Sequence, residues 1–207
     1  MPNAPPYWND ATAALGASDA VLKELILSCE GLALGSRGDA FSTLARAIVG
    51  QQISVKAAQT VWERLSGRLG TVSPEPLIAA RRQTLRICGL SGQKSSYLKD
   101  LARRFLDGEL DPLRWATLDD EALIAELTRV KGIGRWTAEM FLIFYLTRPD
   151  VLPVADIGLQ RAMSRHYNRG RPVSLARMHR IGKTWAPWRS VATWYLWRSL
   201  DPLPVEY

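Results

Sequence analysis

Cysteine is scarce in this chain: Cys29 and Cys88 are the only two in 207 residues. That is too few for a disulfide framework or a four-cysteine metal site. His166 and His179 have no ligand spacing to each other or to a cysteine, so neither a side-chain metal site nor a cofactor is expected. No window approaches the roughly 20 uninterrupted apolar residues that a membrane span requires. The opening Met1-Pro2-Asn3-Ala4-Pro5-Pro6 lacks the basic lead and apolar run of a secretory signal. A soluble intracellular protein is the expectation. Repeats, low-complexity tracts and alternating strand patterns with hairpin turns are missing too. Acidic residues are nearly missing from one long stretch. Residues 129–200 hold 13 Lys/Arg against 3 Asp/Glu, whereas residues 1–75 hold 6 against 7 and residues 76–128 hold 8 against 8. The net charge of +7 therefore originates in one region. Such a concentration suits a polyanion partner, nucleic acid foremost, although an Arg-rich solvated face is the plainer alternative.

What the chain has in quantity is apolar residues at helical spacing. Hydrophobic residues make up 47%, enough for a core. Apolar positions recur every three or four residues over 19–29, 39–49 and 54–68. Further helices are expected over 92–107, 118–129, 135–147, 156–168, 173–181 and 187–200. Ser18, Ser54, Ser73, Ser91 and Asp119 stand where N-caps belong. Gly50, Gly70 and Gly89 punctuate, and Pro74, Pro112, Pro149, Pro153, Pro172 and Pro187 mark breaks. The expected fold class is all-α, with roughly ten short helices. Residues 1–17 read as a loose arm ahead of a domain spanning 18–207.

Thr128-Arg129-Val130-Lys131-Gly132-Ile133-Gly134-Arg135-Trp136-Thr137-Ala138 lies between two amphipathic segments, ALIAEL and AEMFLIFYL. Glycines at 132 and 134 permit positive φ and a sharp reversal between helices. Backbone amides at the start of the second helix then offer donors to phosphate, without base preference. A GxG pair alone is a weak signal, and turn glycines are its ordinary reading. Placement between two helices in the most basic stretch favours a phosphate clamp, with Val130, Lys131, Gly132, Ile133, Gly134, Arg135 and Thr137 as its candidates.

VKGIGRWTAEM followed by Asp156 in LPVADIGL resembles the helix-hairpin-helix DNA glycosylases, in particular the alkylation-repair branch similar to DNA-3-methyladenine glycosylase II. Ala47-Ile48-Val49-Gly50-Gln51-Gln52-Ile53-Ser54 resembles that branch's I-x-G-Q-Q-x-S segment. Trp185-Ala186-Pro187-Trp188-Arg189-Ser190, with Ala192 and Trp197, resembles its C-terminal W-x-P-W-R-S-x-A pattern. The likeness covers about residues 20–200. It implies a two-lobed helical bundle with the active-site cleft between the lobes, one lobe formed by about residues 40–130 and the other by the N- and C-terminal helices. Two departures from the superfamily narrow the chemistry. Trp136 stands where bifunctional members carry a Schiff-base lysine, and Lys131 occupies a position usually held by proline, so lyase activity is not expected. No cysteine follows Cys88, which excludes the iron–sulfur cluster of the endonuclease III branch.

The resemblance implies a monofunctional glycosylase acting on alkylated purines in double-stranded DNA, monomeric, off membranes and located with the DNA: cytoplasmic and nucleoid-associated in a bacterium, nuclear in a eukaryote. Asp156 becomes the catalytic carboxylate. Cleaving an N-glycosidic bond builds positive charge on the sugar, which a carboxylate near C1′ stabilises while orienting the attacking water. By position alone Asp156 is an ordinary N-cap, and both roles can coexist. The target base must leave the stack and the gap must be filled. The resemblance implies Gln52 as the wedge, with Gln51 supporting its loop; two polar residues bonding a turn is the alternative. Trp136 and Trp197 match base-pocket positions, where tryptophan faces can stack a cationic base, while Met140 and Ile157 stand at pocket positions where the family often has further aromatics. The other tryptophans are expected in packing roles. A monovalent cation on the backbone carbonyls of Thr128, Val130 and Ile133 is implied by resemblance only. A deaminated-base glycosylase on the same scaffold, or a hairpin module that tethers without catalysis, are the other readings.

Overall fold

The computed structural model describes residues 4–36 and 38–200. Among them regular structure is wholly helical, in chain order α1 (Trp8–Ser18), α2 (Ala20–Ser28), α3 (Ala40–Gly50), α4 (Val55–Leu69), α5 (Pro74–Ala79), α6 (Arg82–Ile87), α7 (Gly92–Leu106), α8 (Pro112–Trp115), α9 (Asp120–Leu127), α10 (Arg135–Phe144), α11 (Ile157–Tyr167), α12 (Leu175–Thr184) and α13 (Arg189–Arg198). No helix among the described residues is long and apolar enough to cross a membrane. The helices divide into two compact units, Gly38–Phe141 and the described parts of Met1–Arg37 with Leu142–Glu206. The first extends beyond the lobe of about 40–130 expected from sequence, because the rest of the hairpin and most of α10 belong to it.

In the unit Gly38–Phe141, Leu44, Ile48, Leu65, Leu77, Leu85, Leu98 and Leu101 are fully buried. An aromatic file runs through it, Phe41 on Phe105, Phe105 on Trp115 and Trp115 on Phe141, each edge-to-face at 5.2, 6.1 and 5.4 Å between centroids. Edge-to-face contacts of this kind add about 0.5–1.5 kcal/mol each beyond area burial. Ser54, Ser91 and Asp119 cap α4, α7 and α9 by accepting the N–H groups of Ala57, Lys94 and Ala122.

The other unit corrects the expectation of a loose arm over residues 1–17. Residues 8–17 lie in α1, pinned by Trp8, which is 1% exposed and packs against Trp194 and Tyr195 of α13 at 5.2 and 5.7 Å. Residues 1–3 of that arm lie outside the described residues. Nor does Ser18 cap α2: its hydroxyl turns back to the Ala14 carbonyl, and Asp19 caps instead. Asp19 Oδ1 accepts the amides of Val21 and Leu22 while Oδ2 accepts Tyr167 O–H at 2.9 Å and Trp185 Nε1–H at 3.0 Å. One carboxylate thus ties α2, α11 and the end of α12 together.

Candidate active site and hairpin

Asp156 is the N-cap of α11 and is buried at 8% exposure. Its Oδ1 accepts the Leu159 amide at 2.6 Å and the indole N–H of Trp197 at 2.8 Å. Two donors offset the cost of removing a carboxylate from water. The Trp197 ring stacks on Phe144 with centroids 5.5 Å apart and planes 14° from parallel. Between cap and indole lies Gly158, where an added Cβ would sit 3.0 Å from Asp156 Oδ1 and 3.1 Å from Trp197 Cδ1. Ile157 is exposed at 62% beside this cluster in sequence.

The loop that delivers Asp156 is held from α13. Arg189 donates from Nε and one terminal nitrogen to the two carboxylate oxygens of Asp150 at 2.6 and 2.8 Å. Ser190 Oγ accepts the Val151 amide, and the Ser190 amide donates to the Pro149 carbonyl. The W-x-P-W-R-S segment, matched in sequence without a role for its Arg and Ser, is what clamps residues 149–151. Tyr7 adds a hydroxyl bond to the Thr147 carbonyl and stacks on Trp188; burial pushes its phenol up to about 12.

In the other unit the hairpin joins α9 to α10. Val130 N–H donates to Leu127 O and Ile133 N–H to Val130 O, each at 3.1 Å, and the first helical bond of α10 runs from Ala138 N–H to Gly134 O. The amides of residues 135–137 lie ahead of that bond, in the first turn where helix amides serve external acceptors. Gly132 has φ +84°, and an added Cβ would meet the Tyr97 ring at 2.1 Å. Gly134 differs from expectation: it is not in the left-handed region, and open space surrounds its missing side chain. Asp100 Oδ2 accepts the Lys131 amide at 2.9 Å and pairs with Arg104 at 3.1 Å. Those bonds hold the Asp100 carboxyl below its ordinary range, against the opposing effect of burial.

The hairpin candidates separate by environment. Val130, Ile133 and Thr137 are buried, so their side chains anchor the turn and only their backbone faces outward chemistry. Arg135 joins Glu139 through Nε at 2.9 Å and Glu121 through its terminal nitrogens. It works as a clasp between α9 and α10. Lys131 is exposed. Thr128 is the C-cap of α9, and the Val130 carbonyl, one of three implied cation ligands, accepts the Ile133 amide. Among the described residues no cluster of His, Cys, Asp and Glu could hold a metal ion.

Gln51 and Gln52 follow α3. Gln51 donates its side-chain amide to the Gly132 carbonyl at 2.7 Å. Lys94 donates to the carbonyls of Val49 and Gln51 at 2.7 and 2.6 Å, a cation at a helix C-terminus where the dipole favours one. Gln52 is exposed and has φ +59°, an uncommon conformation for a residue with a side chain. Trp136 is 39% exposed, while Met140 is buried at 7%; both lie in the unit Gly38–Phe141, whereas Ile157 and Trp197 share a unit with Asp156. Tyr97, Asp100, Lys94, Phe144, Gly158 and the Asp150–Arg189 pair were not singled out from sequence. Only Gly158 carried a readable signal: a glycine in the first turn of a helix, two residues after its cap.

The profile of the HhH-GPD superfamily base excision DNA repair proteins matches residues 45–187. DNA-3-methyladenine glycosylase 1 of Schizosaccharomyces pombe is 34% identical over 165 residues, covering 77% of this chain and 72% of the relative. The crystal structure of a DNA-3-methyladenine glycosidase from Bacillus halodurans superposes with a TM-score of 0.86 at 34% identity, covering 92% of this chain and 89% of that one. The S. pombe 3-methyladenine DNA glycosylase in complex with abasic DNA gives a TM-score of 0.77 at 30% identity, with 96% and 99% covered. Coverage is smaller for a Bacillus subtilis relative, of which the chain spans 59%. With its profile match running through the Gln51–Gln52 turn, the hairpin and Asp156, this chain belongs to the HhH-GPD superfamily of base-excision DNA repair proteins.

Proposed function

We propose that this chain is a monofunctional DNA glycosylase that hydrolyses the bond between sugar and base at alkylated purines in duplex DNA, acting as a monomer wherever the DNA resides. The observation that carries the reading is Asp156: a buried carboxylate at the head of α11, held on one oxygen by an amide and an indole N–H. The names of the relatives, and a structural neighbour solved on abasic DNA, support the substrate class.

In this reading the carbon–nitrogen bond at C1′ lengthens, positive charge gathers on the sugar and Asp156 stabilises it. Water attacks C1′, its proton passes to the carboxylate or solvent, and the free base departs with the bonding electron pair. A positively charged alkylpurine leaves without prior protonation, so a single carboxylate suffices. Gln52 fills the vacated stack, and the amides of the hairpin take phosphate.

The test is release of free bases from methylated duplex DNA, identified by chromatography, for wild type and Asp156→Asn. The expected result is release of 3-methyladenine and 7-methylguanine, at least about a hundredfold slower in the variant, with lesion-duplex affinity nearly retained. Undiminished turnover by the variant overturns the mechanism. Hypoxanthine released faster than 7-methylguanine would move the substrate class to deaminated bases.

A further inference from the structure

We infer that Trp197 is a positioning residue for the Asp156 carboxylate, and that Gly158 is a glycine because a side chain there would press on that contact. The inference rests on the catalytic reading of Asp156 and concerns how that group is held.

Trp197 by residue type is a surface for stacking a cationic base. Its geometry gives it another task. The indole N–H donates at 2.8 Å to Oδ1, the same oxygen that takes the Leu159 amide at 2.6 Å. Two donors converging on one oxygen fix the carboxylate's rotamer and its plane. The indole is itself fixed. Phe144 stacks against one of its faces, and residues Ser190–Leu196 immediately before it on α13 are all buried. The direction of the N–H is therefore set by packing rather than by the hydrogen bond it makes.

Gly158 supplies independent support. A Cβ there would lie 3.0 Å from Oδ1, 3.1 Å from Trp197 Cδ1 and 3.2 Å from Nε1. The indole, the carboxylate or both would have to give by a few tenths of an ångström to admit even a methyl group. Glycine is unfavourable relative to alanine inside a helix, and here the close approach explains its presence in the first turn of α11.

With the carboxylate aimed in this way, withdrawing the N–H should act on the chemical step and little on binding. Misplacement by about 1 Å at a reacting group costs on the order of a hundredfold in rate. The experiment is single-turnover excision of 7-methylguanine by Trp197→Phe and Gly158→Ala at saturating enzyme, with lesion-duplex affinity measured beside it. Trp197→Phe keeps a flat apolar ring and removes the donor; Gly158→Ala keeps the donor and removes the space.

Both variants should be slower by about 10- to 100-fold, with lesion-duplex affinity within about twofold. A wild-type rate in Trp197→Phe overturns the inference, as does a variant that loses rate and lesion-duplex affinity in equal measure, which would mark a packing role only. Should Trp197→Phe fail to fold, Gly158→Ala carries the same readings. Failure of the underlying catalytic reading shows elsewhere, as undiminished turnover in Asp156→Asn.

Discussion

Gln51 and Gly132 stand 81 residues apart in the chain, and the side-chain amide of the first donates to the carbonyl of the second at 2.7 Å. This bond ties the turn that presents Gln52 to the turn of the hairpin. The segment assigned to gap filling and the segment assigned to phosphate binding are thereby held as one piece of their unit.

Gln51→Ala should therefore loosen Gln52 without touching it. The Gly132 carbonyl loses its partner, at a cost of about 0.5–1.5 kcal/mol in unfolding free energy, and Gln52 is freer to leave φ +59°. Excision from duplex should fall more than excision from single-stranded DNA, where no gap needs filling. Equal losses on the two substrates, compared in single-turnover assays, would separate Gln51 from the wedge.

The two hairpin glycines should answer differently to alanine. Gly132→Ala meets the Tyr97 ring and a left-handed backbone, and should destabilise the protein by more than about 1 kcal/mol. Gly134→Ala projects into open space and should leave thermal unfolding unchanged. Its methyl group would instead stand in the path of a phosphate, weakening damaged and undamaged duplex alike. Fluorescence anisotropy on both duplexes decides; a loss confined to damaged DNA would put the hairpin in the base pocket.

Borohydride should trap no covalent adduct between the protein and lesion DNA, because Trp136 stands where the family resemblance puts the imine-forming lysine, and a lysine nucleophile needs a lowered pKa in the pocket. The Lys131 backbone amide is fastened to Asp100. A gel-shifted adduct lost in Lys131→Ala would overturn the monofunctional reading.

Much of this architecture is legible in the sequence, where its causes are local. Ser54, Ser91, Asp119 and Asp156 announce helix starts because a capping side chain reaches only two or three residues ahead. Proline misleads when read only as a breaker: Pro74 and Pro112 open α5 and α8, where the first helical position needs no N–H. The helix α1 escapes notice because its buried face is one tryptophan, one leucine and Ala11, too thin a stripe among alanines and Gly16. At the site, the hairpin can be found from residue type and spacing, whereas Asp156 by position alone is an N-cap and its catalytic reading comes from the family resemblance. The donor from Trp197 lies 41 residues away and the Glu121 partner of Arg135 lies 14 residues away. Such pairings depend on how helices pack, which no short window encodes.

The Arg135 clasp bears on how binding should respond to salt. A cation that displaces ions condensed on DNA contributes about 0.9 to the logarithmic salt exponent for each phosphate it neutralises. Arg135 meets Glu121 and Glu139 before any DNA arrives, so its charge is already spent. The exponent should fall short of what the 13 basic residues of 129–200 suggest. Glu121→Gln should leave Arg135 one carboxylate fewer and steepen the salt dependence of undamaged-duplex binding by up to about one phosphate's worth. An unchanged slope, titrated from low to moderate salt, would mean that Arg135 stays on Glu139 and never reaches the backbone.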